Sequence, residues 1–158
     1  MRKTLLLILL ISISTTEIIA CTCAREKASL ERKVKTEFNR SDLIFTGKVI
    51  SKVTKTNEEY FSLADPTIYT FEIIEKIKGT FQSTNVEIVS EESGASCGYN
   101  FEIGQQYLVY SINSDQFTST TANKHDFVTD LCRRNQKINT IDKREIKKLR
   151  KLGKRIDK

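Results

Sequence analysis

The sequence predicts a mostly β protein, a small closed barrel of five strands with a helix at either end, and three observations predict it. Apolar residues alternate with period two through the middle of the chain. Turn residues interrupt that alternation at uneven intervals. At both ends the period changes to helical spacing, with Leu30, Val34 and Phe38 at one end and Ile146, Leu149 and Leu152 at the other. With 158 residues, 39% hydrophobic and 29% charged, the chain has the size and make-up of one ordinary folded domain.

Residues 26–39 read as a short amphipathic helix that lays its apolar stripe on the core, and Ser41-Asp42 punctuates it. From Leu43 the first strand places Leu43, Phe45, Val49 and Val53 on one parity and Thr46, Lys48 and Lys52 on the other. Gly47 within that strand marks a bend or bulge, which a tightly curved sheet needs. Residues 55–66 are polar and include the single proline, Pro66, so a loop is expected there. Tyr69, Phe71, Ile73 and Ile77 form a second strand that ends at Lys78-Gly79, and Val86, Ile88 and Val89 form a third. Glu91 to Gly98 is a Ser/Gly-rich turn region. Tyr107 to Ile112 and Phe127 to Leu131 complete the set, with a loop over Thr118–Asp126 between them. Five antiparallel strands with uneven turns fit a Greek-key barrel of the OB type, with a sandwich as the alternative. From Ile141 a second helix carries Ile146, Leu149 and Leu152/Ile156.

The first twenty residues read as a targeting segment. Met1-Arg2-Lys3-Thr4 is a positively charged start, and Leu5 to Ile13 is an apolar run too short to span a bilayer, which takes about 20 residues. A cut after Ala20 leaves residues 21–158 as the mature domain, beginning at Cys21. A cut after Ser14 is the rival. Ile18-Ile19-Ala20-Cys21 also loosely matches a lipobox, which would place a lipid on Cys21 and a lipoprotein on the outer membrane or in the periplasm. The chain has four cysteines, so a lipidated Cys21 would leave an odd number, and parity favours the unlipidated, exported reading. Among the three pairings of four cysteines, a Cys21–Cys23 bridge closes a very small ring. The other two both tie Cys21-Thr22-Cys23 to the distant Cys97 and Cys132.

Several function classes are excluded. A single histidine, His125, cannot build a HExxH zinc hydrolase or a multi-histidine metal site. It falls in the polar run Thr118–Asp126, where a loop is expected, and sequence alone cannot place a nucleophile and an orienting acid around it. Glu58-Glu59 and Glu91-Glu92 are adjacent pairs that point to opposite faces of a strand and read as solvated. Cys21-x-Cys23 departs from the familiar C-x-x-C redox spacing. No enzyme activity, cofactor or resident metal is expected. Charge concentrates at the end: residues 137–158 carry ten Lys/Arg and three acidic residues, net +7, against −2 for residues 21–136. The basic C-terminal helix reads as a solvated face that could meet an acidic polysaccharide or a membrane surface. Nucleic acid is not an expected partner, because the barrel strands lack interleaved cations and aromatics.

Taken together, several stretches resemble the N-terminal inhibitory domain of the tissue inhibitors of metalloproteinases, a netrin-like module. They are Cys21-Thr22-Cys23, Ser41-Asp42-Leu43-Ile44-Phe45-Thr46-Gly47-Lys48-Val49 and Lys76-Ile77-Lys78-Gly79, followed by Ser96-Cys97-Gly98-Tyr99, Gly104-Gln105-Gln106-Tyr107-Leu108-Val109-Tyr110 and Leu131-Cys132. The match runs in order over roughly residues 21–150 and looks most like single-domain microbial relatives. The resemblance implies the bridges Cys21–Cys97 and Cys23–Cys132, and a secreted, monomeric inhibitor of zinc metalloproteases. In that family's mechanism the free α-amine and carbonyl of the first residue, here Cys21, chelate the target's catalytic zinc. Thr22 would enter the pocket beside the metal. Cys21, Thr22, Cys23 and Ala24, with Ala95, Ser96 and Cys97, would form the contact ridge. The non-inhibitory alternative is a netrin-like binding module of the cell envelope, anchored through a lipidated Cys21.

Overall fold

The computed structural model describes residues 21–23, 27–56, 62, 64–80, 83–124 and 126–156. The expected leader, Ala24, the Glu58-Glu59 pair and His125 lie outside the described residues. Helix α1 spans Leu30–Arg40. The strands are β1 (Leu43–Thr54), β2 (Pro66–Lys78), β3 (Asn85–Glu91), β4 (Gln106–Ser114), β5 (Asp126–Val128) and β6 (Gln136–Lys137). A one-turn helix α2 (Thr118–Thr121) precedes β5, and helix α3 (Lys143–Gly153) closes the chain.

Five of the strands form a ring. β1 pairs with β2, β2 with β3, β3 with β5, β5 with β4, and β4 returns to β1. The expectation of antiparallel strands throughout needs one correction, because β3 and β5 run parallel where Val89 faces Val128. The reason is topological: antiparallel neighbours alternate in direction, and alternation cannot close around an odd number of strands. The short β6 lies outside the ring, paired with β4.

β1 makes the closure possible by pairing with β4 over Leu43–Lys48 and with β2 along most of its length. Its register on β2 shifts three times, once between Thr46 and Gly47, so the bend expected at the glycine is there. A Cβ on Gly47 would lie 2.9 Å from both the Glu72 carbonyl and the Phe45 ring, which is why the bend carries a glycine. Inside the ring, Leu43, Phe45, Val49, Tyr69, Phe71, Ile88, Tyr107 and Val109 pack with Phe101. Phe101 stands edge-on to Tyr69, Phe71 and Tyr107 at centroid distances of 5.1, 5.0 and 4.9 Å, a favoured aromatic arrangement.

β1 and β4 are buried on their outer face too. Ile44, Leu108 and Tyr110 point away from the ring and pack with Val34 and Phe38 of α1 and Leu149 of α3. Thr46, expected on the solvent parity, is buried with them. Val53, expected on the core parity, is 50% exposed because β1 has run past the end of β4. Each of these large apolar side chains contributes roughly 1.5–3 kcal/mol when fully buried.

The helices begin later than their patterns suggest. α1 starts after Ser29, whose Oγ accepts from Arg32 N at 3.4 Å, and ends at Ser41, whose N–H and Oγ both donate to the Glu37 carbonyl. Lys78 Nζ donates to the Phe38 and Ser41 carbonyls at 2.8 and 2.5 Å, placing a cation at the helix C-terminus where the dipole favours one. α3 is capped by Asp142, whose Oδ1 accepts from Arg144 N at 2.9 Å. Leu149 is buried, but Ile156 lies beyond the helix end and is 59% exposed.

Three loop expectations also change. Pro66 opens β2 instead of sitting in the loop, at a strand-start position where its missing N–H costs no ladder bond. The run Thr118–Asp126 contains the turn α2 and the first residue of β5. β5 stops at Val128, not Leu131: Thr129 N still donates to the Val89 carbonyl at 2.9 Å, but the Tyr110 carbonyl on β4 is taken by the Thr129 hydroxyl at 2.7 Å in place of a backbone N–H. Leu131 is then 44% exposed in the turn that follows.

Candidate functional site

Residues 21–23 are held against the rim of the ring by two disulfides. Cys21 is bonded to Cys97 and Cys23 to Cys132, with Cα atoms 5.3 and 5.2 Å apart. The pairing that cysteine counting left open is thereby chosen. The bridges span 76 and 109 residues, and in the chain-entropy view loops of that size each contribute about 4–5 kcal/mol. Thr22, between the two anchored residues, is exposed.

The partner of Cys21 sits on a tight turn built by small residues. Ser93 Oγ accepts from Ala95 N at 3.1 Å, and the Ser93 carbonyl accepts from Ser96 N at 3.1 Å and from Gly98 N at 2.8 Å. Gly94–Ser96 form one turn of 3-10 helix, and Cys97 ends it at φ 73°, in the left-handed region. A non-glycine residue there is unusual, and the bridge and the surrounding hydrogen bonds hold it in place. Gly98 has no room for a side chain, because a Cβ would run into the backbone of Glu91. Ala95 is exposed, while Ser96 and Cys97 are half-buried.

The partner of Cys23 sits on a second turn, organised by Asp130. Its Oδ1 accepts from Cys132 N at 2.7 Å and from Arg133 N at 3.1 Å, an Asx-type turn. Leu131 N donates to the Cys97 carbonyl at 2.8 Å, so the two bridge-bearing turns are joined directly. Asn135 fixes their base: its Oδ1 accepts from Tyr110 N at 2.9 Å and its Nδ2 donates to Thr129 Oγ1 at 2.8 Å. Arg133 Nη1 donates to Glu37 Oε1 of α1 at 2.8 Å, and both side chains are nearly buried. The ridge is therefore coupled to the strands below and to α1 beside it.

A cleft of about 340 Å³ lies next to the ridge, between Cys97, Cys132, Phe117, Val128, Glu91 and Asp130. Glu91 and Glu92 point to opposite sides, as adjacent strand residues do, but neither is merely solvated. Burial pushes the Glu91 carboxyl above its ordinary range, against the pull of the Ser96 hydroxyl and with the nearby Asp130 carboxylate adding to it. Glu92 Oε2 accepts from Thr67 Oγ1 and, at 2.7 Å, from Thr54 Oγ1, and Lys52 lies 3.5 Å from Oε1. Those hydroxyl bonds, led by Thr67, hold its carboxyl below the usual range.

The structure thus brings Cys21, Thr22, Cys23, Ala95, Ser96 and Cys97 to one rim. Sequence reasoning did not single out Asp130, Arg133 and Asn135, which position that rim. Asp two residues before a cysteine is the one local signal that could have pointed to the Asx turn. Among the described residues, no group of three or more His, Cys, Asp or Glu is placed to hold a metal ion. No protein-family model matches the chain, and no curated protein matches it.

Proposed function

We propose that this protein is a secreted inhibitor of zinc metalloproteases that acts through its N-terminal cysteine. The observation that carries this reading is the convergence of two disulfides on residues 21–23, which pins a three-residue segment on both sides of an exposed Thr22. A stability staple has no need to begin at the first residue of a mature chain. A metal-capping group does, because a flexible terminus would lose much of its binding free energy to ordering.

In this reading a leader, residues 1–20, is removed and the α-amine of Cys21 becomes free. An α-amine has a reference pKa of about 7.7–8.0, so it gives up its proton readily to a metal. The neutral nitrogen and the Cys21 carbonyl would occupy the open coordination position of a catalytic zinc and displace the water the protease needs. Thr22 would project into the adjoining substrate pocket, and Ala24, Ala95 and Ser96 would extend the contact beside Cys97. The ring of five strands, with one crossover that makes β3 and β5 parallel, supports the finer description of the scaffold as an OB-type barrel.

The test compares the mature protein, starting at Cys21, with a version carrying one extra alanine before it, against a panel of zinc endopeptidases. The mature form is expected to inhibit at least one member, with the extended form weaker by about two orders of magnitude or more, since even an outer-shell partner at a metal site is worth roughly 10–100-fold. Equal potency of the two forms would overturn zinc capping. Inhibition by neither, together with a lipid mass on Cys21, would identify an envelope-anchored binding module instead.

A further inference from the structure

The cations of α3 fall into two groups with different partners. Arg150 is paired with Glu75 of β2 at 2.7 Å, Lys148 with Glu31 of α1 at 3.4 Å, and Arg144 with the capping Asp142 at 2.6 Å. These pairs fasten or cap the helix. Lys143, Lys147 and Lys151 are exposed and have no ion-pair partner among the described residues. They recur every four residues, so they form a row of positive charges about 6 Å apart along one face.

Beside this row lies a groove of about 450 Å³ between α1 and α3. The half-buried Leu30 of α1 supplies its apolar side, over a fully buried Val34, and Arg144, Lys147, Lys148 and Lys151 supply its cationic side. Glu31 is its single acidic residue, and Lys148 already engages it. An occupant must therefore be anionic, must present an apolar face, and must extend along the helix to meet successive lysines.

We propose that this groove binds a linear acidic polysaccharide. A sugar ring offers a C–H face to the half-buried Leu30, while carboxylate or sulfate groups spaced along the polymer meet Lys147 and Lys151 in the groove and Lys143 where the row continues beyond it. A bilayer fits less well for two reasons. A flat surface touches the tips of the lysines but does not reach the floor of a groove. An interfacial helix also sinks its own apolar face into lipid, and the apolar face of α3 is spent on Ile44, Leu108 and Tyr110 of the protein core. The inference does not depend on the inhibitor reading, since the groove shares no residue with the rim that carries the two disulfides.

The experiment titrates the mature protein with heparin and polygalacturonate, with neutral dextran as blank, at several salt concentrations. Binding to at least one acidic polymer is expected, weakening as salt rises. The variant K143E/K147E/K151E is expected to lose affinity by roughly tenfold or more, from three reversed charges each of modest individual effect. The control K48E/K55E/K124E changes net charge equally at exposed sites away from the groove and is expected to lose less than about threefold. Equal losses in both variants would overturn the site and leave only a net-charge effect. Tighter binding to phosphatidylglycerol vesicles or to duplex DNA, lost in the same variant, would overturn the polysaccharide assignment. Backbone NMR of the unmutated protein gives a reading independent of variant folding. Shifts on adding polymer are expected at Leu30, Val34, Lys147 and Lys151, and shifts centred on Cys97 instead would contradict the proposal.

Discussion

The disulfide rim and the helical flank solve the same problem, fixing a segment to the five-stranded ring, by different means. α1 and α3 are held by burial: Val34 and Leu149 are fully inaccessible and Phe38 nearly so. α3 is also tied to the strands by a polar cluster in which the buried Glu145 accepts from Tyr110 OH at 2.7 Å, from Arg134 Nε at 3.0 Å and from Gln136 Nε2 at 3.2 Å. The rim has nothing comparable to bury. Its residues are Thr22, Ala95, Ser96 and cysteines, and in the proposed function it stays exposed to meet the protease. Covalent bonds and backbone hydrogen bonds do there what apolar area does on the flank. A surface kept bare for contact has to take its rigidity from something other than a core.

The contrast can be broken first at Glu145. Glu145→Ala leaves the Arg134 guanidinium and the buried Tyr110 hydroxyl without their shared acceptor. Removing one partner of such a buried pair costs about 3–5 kcal/mol. Urea unfolding should show that loss while the purified variant, below its midpoint, still inhibits. Next comes the rim: C23S/C132S should cost about 2–4 kcal/mol in the same unfolding experiment, less than the chain-entropy value for its loop because the unfolded chain retains some structure. Here inhibition should fall along with stability, since residues 21–23 would keep only one anchor. A variant that lost stability but kept full potency would show that the second bridge does not serve the site.

Gly98→Ala is expected to cost roughly 1–3 kcal/mol, because its Cβ meets rigid backbone at Glu91 rather than a side chain that can swing away. The smallest effects come from Glu91 and Glu92, and their signs should oppose. Glu91 has its folded pKa raised, so the folded state holds that proton more tightly and stability from this group is lost as pH rises through the folded value. Glu91→Gln should therefore raise the thermal midpoint slightly at pH 7, with the difference fading below about pH 3, where the carboxyl is protonated in both states. Glu92 has its folded pKa lowered, so its contribution is present at neutral pH and lost as pH falls through that value. Glu92→Gln should lower the midpoint at pH 7, with the difference shrinking in acid. Matching signs would mean that the two carboxylates share one environment.

The ring was legible where its pattern is local. Leu43, Phe45 and Val49 alternate into the core, Gly47 marks the bend, and Leu30, Val34 and Phe38 form the buried stripe of α1. What depends on distant partners was not legible. Ile44 shares the parity of Thr46 and Lys48, which reads as solvent-facing, and only the packing of two helices over that face buries it together with Tyr110. Glu145 reads as one more charge on a basic helix until Tyr110 and Arg134 are beside it. The parallel contact of β3 with β5 follows from closing an odd ring, and no window of sequence contains that information. At the rim, cysteine spacing alone allowed either attachment of Cys21, and the two turns that present Cys97 and Cys132 are shaped by Ser93 and Asp130.

Zinc capping is tested most directly at the metal itself. A zinc endopeptidase that the protein inhibits can be reloaded with cobalt(II), whose visible spectrum reports its ligands, and titrated with the mature form. The account predicts a change in the cobalt bands that saturates at one equivalent and is absent when Cys21 carries an added alanine. Saturable inhibition with an unaltered cobalt spectrum would contradict it.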